Sequence, residues 1–277
     1  RMCYDADQPL FIHGTTGIGK SETVKRVAEE KAEETEKTFV CWEDVKANPD
    51  HEGQVEKSEV YENPEDYFMF VDERLVQSDP TDVKGIPDTD GNVTNWNPPQ
   101  WIDYMCLDDA YGMIFCDELN HAPQMVQKAY FSLILDRKVD TNRISDNVFL
   151  LAAGNREEDK AGVVTMPSSL RNRFGHVELQ DPSAGKDGSW TDWALENDVH
   201  GSVIGFLSSQ LGQNHLFEFT EDNRDATAFA TPRSWKMASD AIKATDAQTS
   251  EQIASFAEVF VGDVASNFRG YLETRYE

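Results

Sequence analysis

Positive charge is scarce in this chain. Its 277 residues carry 51 acidic side chains against 25 basic ones, a formal net charge of −26, and only 13 of the basic residues are lysines. Such a surface repels phosphate backbones and anionic headgroups, which argues against duplex nucleic acid or a membrane surface as partner. It fits a very salty cytoplasm, where a dense acidic surface keeps a protein soluble. An ordinary acidic protein with a basic partner is the rival reading. Long apolar runs are missing too: nothing approaches the roughly 18 residues that a membrane helix needs. No secretory signal pattern is visible. The start at Arg1 rather than Met leads to the expectation of a short preceding linker that packs near the site described below. The cysteines are few, Cys3, Cys41, Cys106 and Cys116, with no C-x-x-C pair and no metal-ligand spacing, so free thiols in a reducing cytoplasm are expected. No internal repeat is present. At 39% hydrophobic and 10% aromatic, the chain has enough apolar material for a substantial core.

Glycine is concentrated where it has a use. Residues Gly14-Thr15-Thr16-Gly17-Ile18-Gly19-Lys20-Ser21 fit G-x-x-x-x-G-K-[S/T]. Glycines let a backbone turn tightly enough to aim successive N–H groups at phosphate oxygens. Lys20 supplies a point charge for the β- and γ-phosphates, and the Ser21 hydroxyl suits Mg²⁺. The flanks supply the required context. Pro9 to His13 reads as a short buried strand, and "SETVKRVAEEKAEETEK" reads as a helix with Val24, Val27 and Ala28 on one stripe. Phosphate then sits at a helix N-terminus. Glu22 completes the candidate nucleotide-contacting set. A glycine-rich turn that matches by chance is the bland alternative, and the flanks argue against it.

Further strands are expected at 38–43, 67–77, 112–119, 147–155 and 175–179, with a helix over 122–135. Residues 46–66 are polar and acidic with two prolines, a surface excursion. Residues 79–101 are rich in turn formers, and Asp90-Gly91 suits a tight hairpin turn. Alternation of strands and helices implies a parallel sheet wrapped by helices. After about residue 182 the pattern becomes purely helical: "WTDWALEND", "SVIGFLSSQ", "PRSWKMASDAI" and "SEQIASFAEVFVGDVASNF" each read as a helix. The division expected is an α/β core over 1–184, carrying a hairpin near 86–101, and a helical domain over 185–277.

Met113 to Glu118 is an apolar strand ending in two acids. Beside a phosphate loop, Asp117 would hold Mg²⁺ opposite Ser21, and Glu118 would take a proton from the attacking water. Asn155 ends the next buried strand, where a neutral amide can orient that water. Arg171 and Arg173 in "SSLRNRF" are candidates for an arginine that reaches a neighbouring subunit's γ-phosphate. Arg233 in "ATPRSWK" opens a helix from which it can bind the γ-phosphate of its own subunit. Each arginine has a plain alternative, a surface ion pair of little energetic weight. His121, without a second histidine at ligand spacing, reads as a simple polar contact.

Taken in order, these segments resemble the AAA+ ATPases, and the MoxR type most closely. "GTTGIGKS" corresponds to Walker A, "MIFCDE" to Walker B, "LLAAGN" to sensor 1, "LRNRF" to the arginine-finger segment and "TPRSW" to sensor 2. The resemblance covers about residues 9–245 and extends to dynein-related and midasin-like modules. It implies a five-stranded parallel sheet of order 5-1-4-3-2 with a helical lid. It also implies ATP hydrolysis with Mg²⁺ in a ring, usually a hexamer, that remodels a client protein, often with a partner carrying a von Willebrand factor A domain. The excursion at 46–66 is longer than in the family. NRF stands where the family has DRF, which leaves Arg173 matched and Arg171 as an extra candidate. The alternatives are a small-molecule P-loop kinase, a restriction-type GTPase, a nucleic-acid-remodelling ATPase and a non-catalytic scaffold.

Overall fold

A computed structural model describes residues 2–48, 50, 54–89, 94–156, 164, 166–185, 188–218, 226–245, 247 and 249–276. The chain forms two compact units. The first comprises residues 1–14 and 20–179; the second comprises 180–277 together with the loop residues Thr15–Gly19. The domain division expected at 184/185 lies five residues past the boundary between Leu179 and Gln180.

The first unit is built on one parallel sheet. Its strands are β1 (Leu10–His13), β2 (Thr38–Cys41), β3 (Tyr67–Arg74), β6 (Tyr111–Asp117), β9 (Val148–Gly154) and β10 (Gly175–Glu178). They run in the order β10-β1-β9-β6-β3-β2, every neighbouring pair parallel. This corrects the five strands that the resemblance implied to six, the number read from the residues themselves. The strand beyond the implied order is the edge strand β2, which ends at Cys41 because Trp42 already opens a helix. Two antiparallel pairs stand outside the sheet: β4 (Ile86–Asp88) with β5 (Asn95–Asn97), and β7 (Lys138–Val139) with β8 (Asn142–Arg143). The Asp90-Gly91 turn lies outside the described residues.

The helices of this unit are α1 (Met2–Asp5), α2 (Lys20–Glu34), α3 (Trp42–Ala47), α4 (Glu59–Glu62), α5 (Thr81–Lys84), α6 (Gln100–Met105), α7 (Gln124–Asp136) and α8 (Ser168–Arg171). Strand β9 is buried along its whole length and β6 nearly so, as parallel strands covered on both faces must be. On one face Val24, Ala28 and Ala32 of α2 pack against Phe70, Phe115 and Leu151. On the other, Val126, Tyr130 and Leu133 of α7 pack with Ile114, Leu150 and Ile102. The excursion at 46–66 carries two short 3₁₀ turns and α4 among its described residues, and it anchors itself by burying Val55.

The second unit contains α9 (Ser189–Glu196), α10 (Gly201–Leu207), α11 (Pro232–Ala244), α12 (Ser250–Val261) and α13 (Ala265–Tyr276), and no strand among its described residues. The run "SEQIASFAEVFVGDVASNF", read as one helix from its periodicity, is two. Gly262 adopts φ +64, and a Cβ there would lie 2.5 Å from the Ala228 carbonyl oxygen, so the chain turns at a position only glycine fills without strain. Phe206, Trp235 and Phe268 form the aromatic centre of this unit, with ring centroids 5.2–5.7 Å apart. Burying a Phe side chain is worth about 1.5–3 kcal/mol relative to exposure. Trp235 also satisfies its indole N–H on the His215 carbonyl at 2.8 Å.

Candidate functional site

In a parallel sheet the carboxyl ends of all strands lie on one edge, and in the first unit the candidate polar groups collect there. Strand β1 ends at His13, and the Gly14 N–H continues the ladder onto the Gly154 carbonyl at 3.2 Å. Helix α2 opens with Lys20, which is only 9% exposed. Its ammonium donates to the Gly14 carbonyl at 2.7 Å and to Asn155 Oδ1 at 2.9 Å. Ser21 Oγ donates to Asp117 Oδ2 at 2.7 Å. Lys20, Ser21, Asp117 and Asn155, separated by up to 135 positions in the chain, therefore share one locus.

Glu118 follows Asp117 in a left-handed conformation, φ +58, unusual for a residue with a side chain. That conformation costs about 1–2 kcal/mol, and such strain tends to gather at functional positions. It turns the chain sharply out of β6. The Glu118 N–H is held by Asp117 Oδ1 at 2.9 Å, and the Glu118 side chain is exposed.

Asn120, which the sequence reading did not single out, and His121, which it read as a simple polar contact, support Asn155. Asn120 donates its amide N–H to the Asn155 carbonyl at 2.8 Å and lies across Gly154, where a Cβ would meet Asn120 Oδ1 at 2.0 Å. His121 Nε2 is 3.4 Å from Asn155 Nδ2, and with Lys20 on Oδ1 the amide's N–H₂ faces the imidazole. Asn120 Oδ1 and His121 Nδ1 are buried without a protein partner, a costly state that invites a ligand or water. The only signal for either in the sequence was their place three and four residues after Asp117.

Further acids line the neighbouring strand. Burial, with the Asp117 carboxylate next in weight, raises the Asp72 carboxyl to about 6. Burial and then Asp82 raise Glu73 to about 7. Asp72 Oδ1 is also buried without a partner.

In the second unit the loop Thr15–Gly19 packs with the start of α11. Gly17 and Gly19 take φ +81 and +93. A Cβ on Gly17 would lie 3.1 Å from Thr231 Oγ1, whereas one on Gly19 would meet nothing within 4 Å. Thr231 and Ser234 form a reciprocal capping box at α11, with bonds of 3.0 and 2.8 Å. The Arg233 N–H contacts the Gly17 carbonyl at 3.4 Å, and its side chain is exposed. Thr15 and Ile18 are buried.

Arg171 and Arg173 do not join this locus. They precede Gly175, which pairs with Leu10 at the amino-terminal edge of the sheet, and both side chains are exposed. Among the described residues, no group of three or more His, Cys, Asp or Glu side chains is placed to hold a metal. A hydroxyl and a carboxylate already bonded to each other, Ser21 and Asp117, are the hard oxygen donors that Mg²⁺ takes when substrate phosphates and water complete its shell. The residues fit a nucleotide with Mg²⁺.

No family model matches the chain, and no curated protein matches it. Solved structures do. The Thermotoga maritima RuvB Holliday junction branch migration motor aligns at 15% identity over 93% of this chain and 64% of its own, with a TM-score of 0.41. The Aeropyrum pernix ORC2 protein aligns at 13% identity over 93% of this chain and 64% of its own, with a TM-score of 0.43. A putative ATPase from Cytophaga hutchinsonii aligns at 13% identity over 99% of this chain and 85% of its own, with a TM-score of 0.38. The chain thus spans less than two thirds of the RuvB and ORC2 chains. Similarity at this level carries no argument about activity. Among the described residues, no helix is long and apolar enough to cross a membrane.

Proposed function

We propose that the chain is an AAA+ ATPase of the MoxR type that hydrolyses ATP in a ring and remodels a partner protein. The observation that carries this reading is the meeting of Lys20, Ser21, Asp117 and Asn155 at the carboxyl edge of one parallel sheet, with Glu118 on a strained turn beside them. A glycine-rich turn matched by chance has no reason to find a strand-end carboxylate and a strand-end amide waiting for its lysine and serine.

The roles follow from the groups. Lys20 exchanges neutral oxygen partners for the β- and γ-phosphates, a stronger charge-assisted pairing. Ser21 and Asp117 would hold Mg²⁺, which would offset the charge of the phosphates. Glu118, exposed and next to that pair, accepts the proton of the attacking water. The Asn155 amide orients the water. Gly17 and Gly19 let the loop backbone approach the phosphates. Thr15, Thr16, Ile18 and Glu22 complete the nucleotide contacts, and Arg233 answers the γ-phosphate from α11.

Arg173 sits at the opposite edge of its own sheet. A finger there serves a neighbour's nucleotide, which is the reason for proposing a ring, on the family pattern a hexamer. Arg171 is the second choice. A von Willebrand factor A domain protein, a client protein and a high-salt cytoplasm belong to the same proposal. ATP is the proposed nucleotide over GTP because no N-K-x-D guanine-reading motif is present.

Complementation tests the reading. Arg173→Ala and Glu118→Gln subunits are each expected to release little phosphate from ATP. Mixed in one ring, sites pairing an intact Glu118 with an intact neighbouring Arg173 recover activity. Mixed rings that form and recover nothing contradict the shared site. Faster turnover of GTP than of ATP contradicts the nucleotide.

A further inference from the structure

A chain of hydrogen bonds that the proposed chemistry does not use joins strand β1 to the arginine segment. His13 Nε2 and His176 Nδ1 are 2.9 Å apart. His176 Nε2 lies 2.7 Å from the Arg171 carbonyl oxygen. A carbonyl only accepts, so His176 Nε2 carries a proton. In the neutral ring His176 Nδ1 then accepts, and His13 Nε2 must donate. With both rings neutral this one arrangement of protons satisfies the two bonds, and both nitrogens of His176 are used.

The rings are held as well as bonded. His13 and His176 stack with centroids 5.1 Å apart and planes 30° from parallel. Phe11 lies 4.6 Å from the His13 ring, and Phe174 lies 6.3 Å from the His176 ring. His13, Phe174 and His176 form a wall of an open groove of about 800 Å³ that runs along α8.

Each end of this chain touches something that the proposed reaction depends on. His13 is bonded directly to Gly14, whose carbonyl receives Lys20 and whose N–H is tied to β9. At the other end, the Arg171 carbonyl is the pivot of the turn that carries Arg173. It receives the Phe174 N–H at 3.4 Å as well as His176, while the Arg173 N–H closes onto Leu170 at 3.0 Å. Through His13 and His176, strand β1 is thus tied to one of the two carbonyls that hold the turn carrying Arg173.

We infer that His13 and His176 are positioning residues that set Arg173 according to the state of the phosphate loop in the same subunit. The inference rests on the ring reading above. Its consequence is that a subunit presents its arginine to the neighbour only when its own loop is engaged, which couples adjacent sites.

The test uses full-length variants, ATP turnover and binding of a fluorescent ATP analogue. His176→Phe keeps an aromatic ring on the stack and removes both hydrogen bonds. Turnover is expected to fall about thirtyfold, the worth of two ordinary hydrogen bonds, with affinity for the analogue unchanged. Added to Arg173→Ala, it is expected to cost nothing more. His13→Gln, which keeps a donor for His176, is expected to retain turnover where His13→Phe loses it, a pair that decides the matter if His176→Phe does not fold. Wild-type turnover in His176→Phe, a further loss on the Arg173→Ala background, or equal rates in the two His13 variants would each overturn the relay. Arg173→Ala alone separates the two failures. Full turnover there sinks the ring reading and the relay with it, whereas an impaired Arg173→Ala beside an active His176→Phe sinks only the relay.

Discussion

Ser21 Oγ lies 2.7 Å from Asp117 Oδ2, so the first turn of α2 and the end of β6 are fastened to each other by two hard oxygen donors. If this pair holds Mg²⁺, its removal acts on the metal before the nucleotide. Asp117→Asn is expected to raise the Mg²⁺ concentration for half-maximal turnover by at least about tenfold, since charge-assisted contacts are worth about 1.5–3 kcal/mol. Binding of nucleotide without Mg²⁺ should change little. An unchanged Mg²⁺ requirement removes Asp117 from the metal.

Gly154 is expected to tolerate no side chain. A Cβ there would sit 2.0 Å from Asn120 Oδ1, and Asn120 is held by the Asn155 carbonyl. Gly154→Ala should cost about 1–3 kcal/mol, as overpacking does, and lower the melting temperature by several degrees. Asn120→Ala should relieve part of that cost in the double variant. Additive losses in a thermal melt contradict the contact.

Glu73 gives a pH signature. Its folded pKa of about 7 lies above the ordinary carboxyl value because burial, then Asp82, disfavours the charge. A raised acid contributes stability fully below its ordinary pKa and loses it as pH rises through the folded value. Glu73→Gln should therefore raise the melting temperature at pH 8 and change it little at pH 4.5. A gain that is the same at both values contradicts the assignment.

The net charge of −26 makes a salt prediction. Self-repulsion among surface carboxylates is screened as ionic strength rises, with a Debye length that falls from about 10 Å at 0.1 M to about 3 Å at 1 M. The melting temperature should climb across a KCl series. A flat or falling curve contradicts a high-salt setting.

The elements read most accurately were those whose signal is local. The loop from Gly14 to Ser21 is a spacing, and β6 and β9 are apolar runs that end where a polar group stops them. The edge strand β2 was read two residues too long, because Trp42 and Glu43 continue an extended-looking pattern while the backbone has already turned helical. The break between α12 and α13 was missed because apolar residues flank Gly262 on both sides, and the glycine's conformation shows only in three dimensions. The Asn120–Gly154 and His13–His176 contacts had no sequence signal. The first joins the loop after β6 to the end of β9, and the second joins side chains on adjacent strands β1 and β10. Only the sheet order creates either one.

The central claim is that Lys20, Asp117, Glu118 and Asn155 form one nucleotide-hydrolysing site. Glu118→Gln tests it most directly, with ATP binding and phosphate release measured on the same preparation. The amide keeps the shape of the turn and cannot take a proton from water. ATP should bind with wild-type affinity while phosphate release falls by about 10²–10⁴, and Lys20→Ala should lose binding itself. Phosphate release at the wild-type rate by Glu118→Gln would contradict the account.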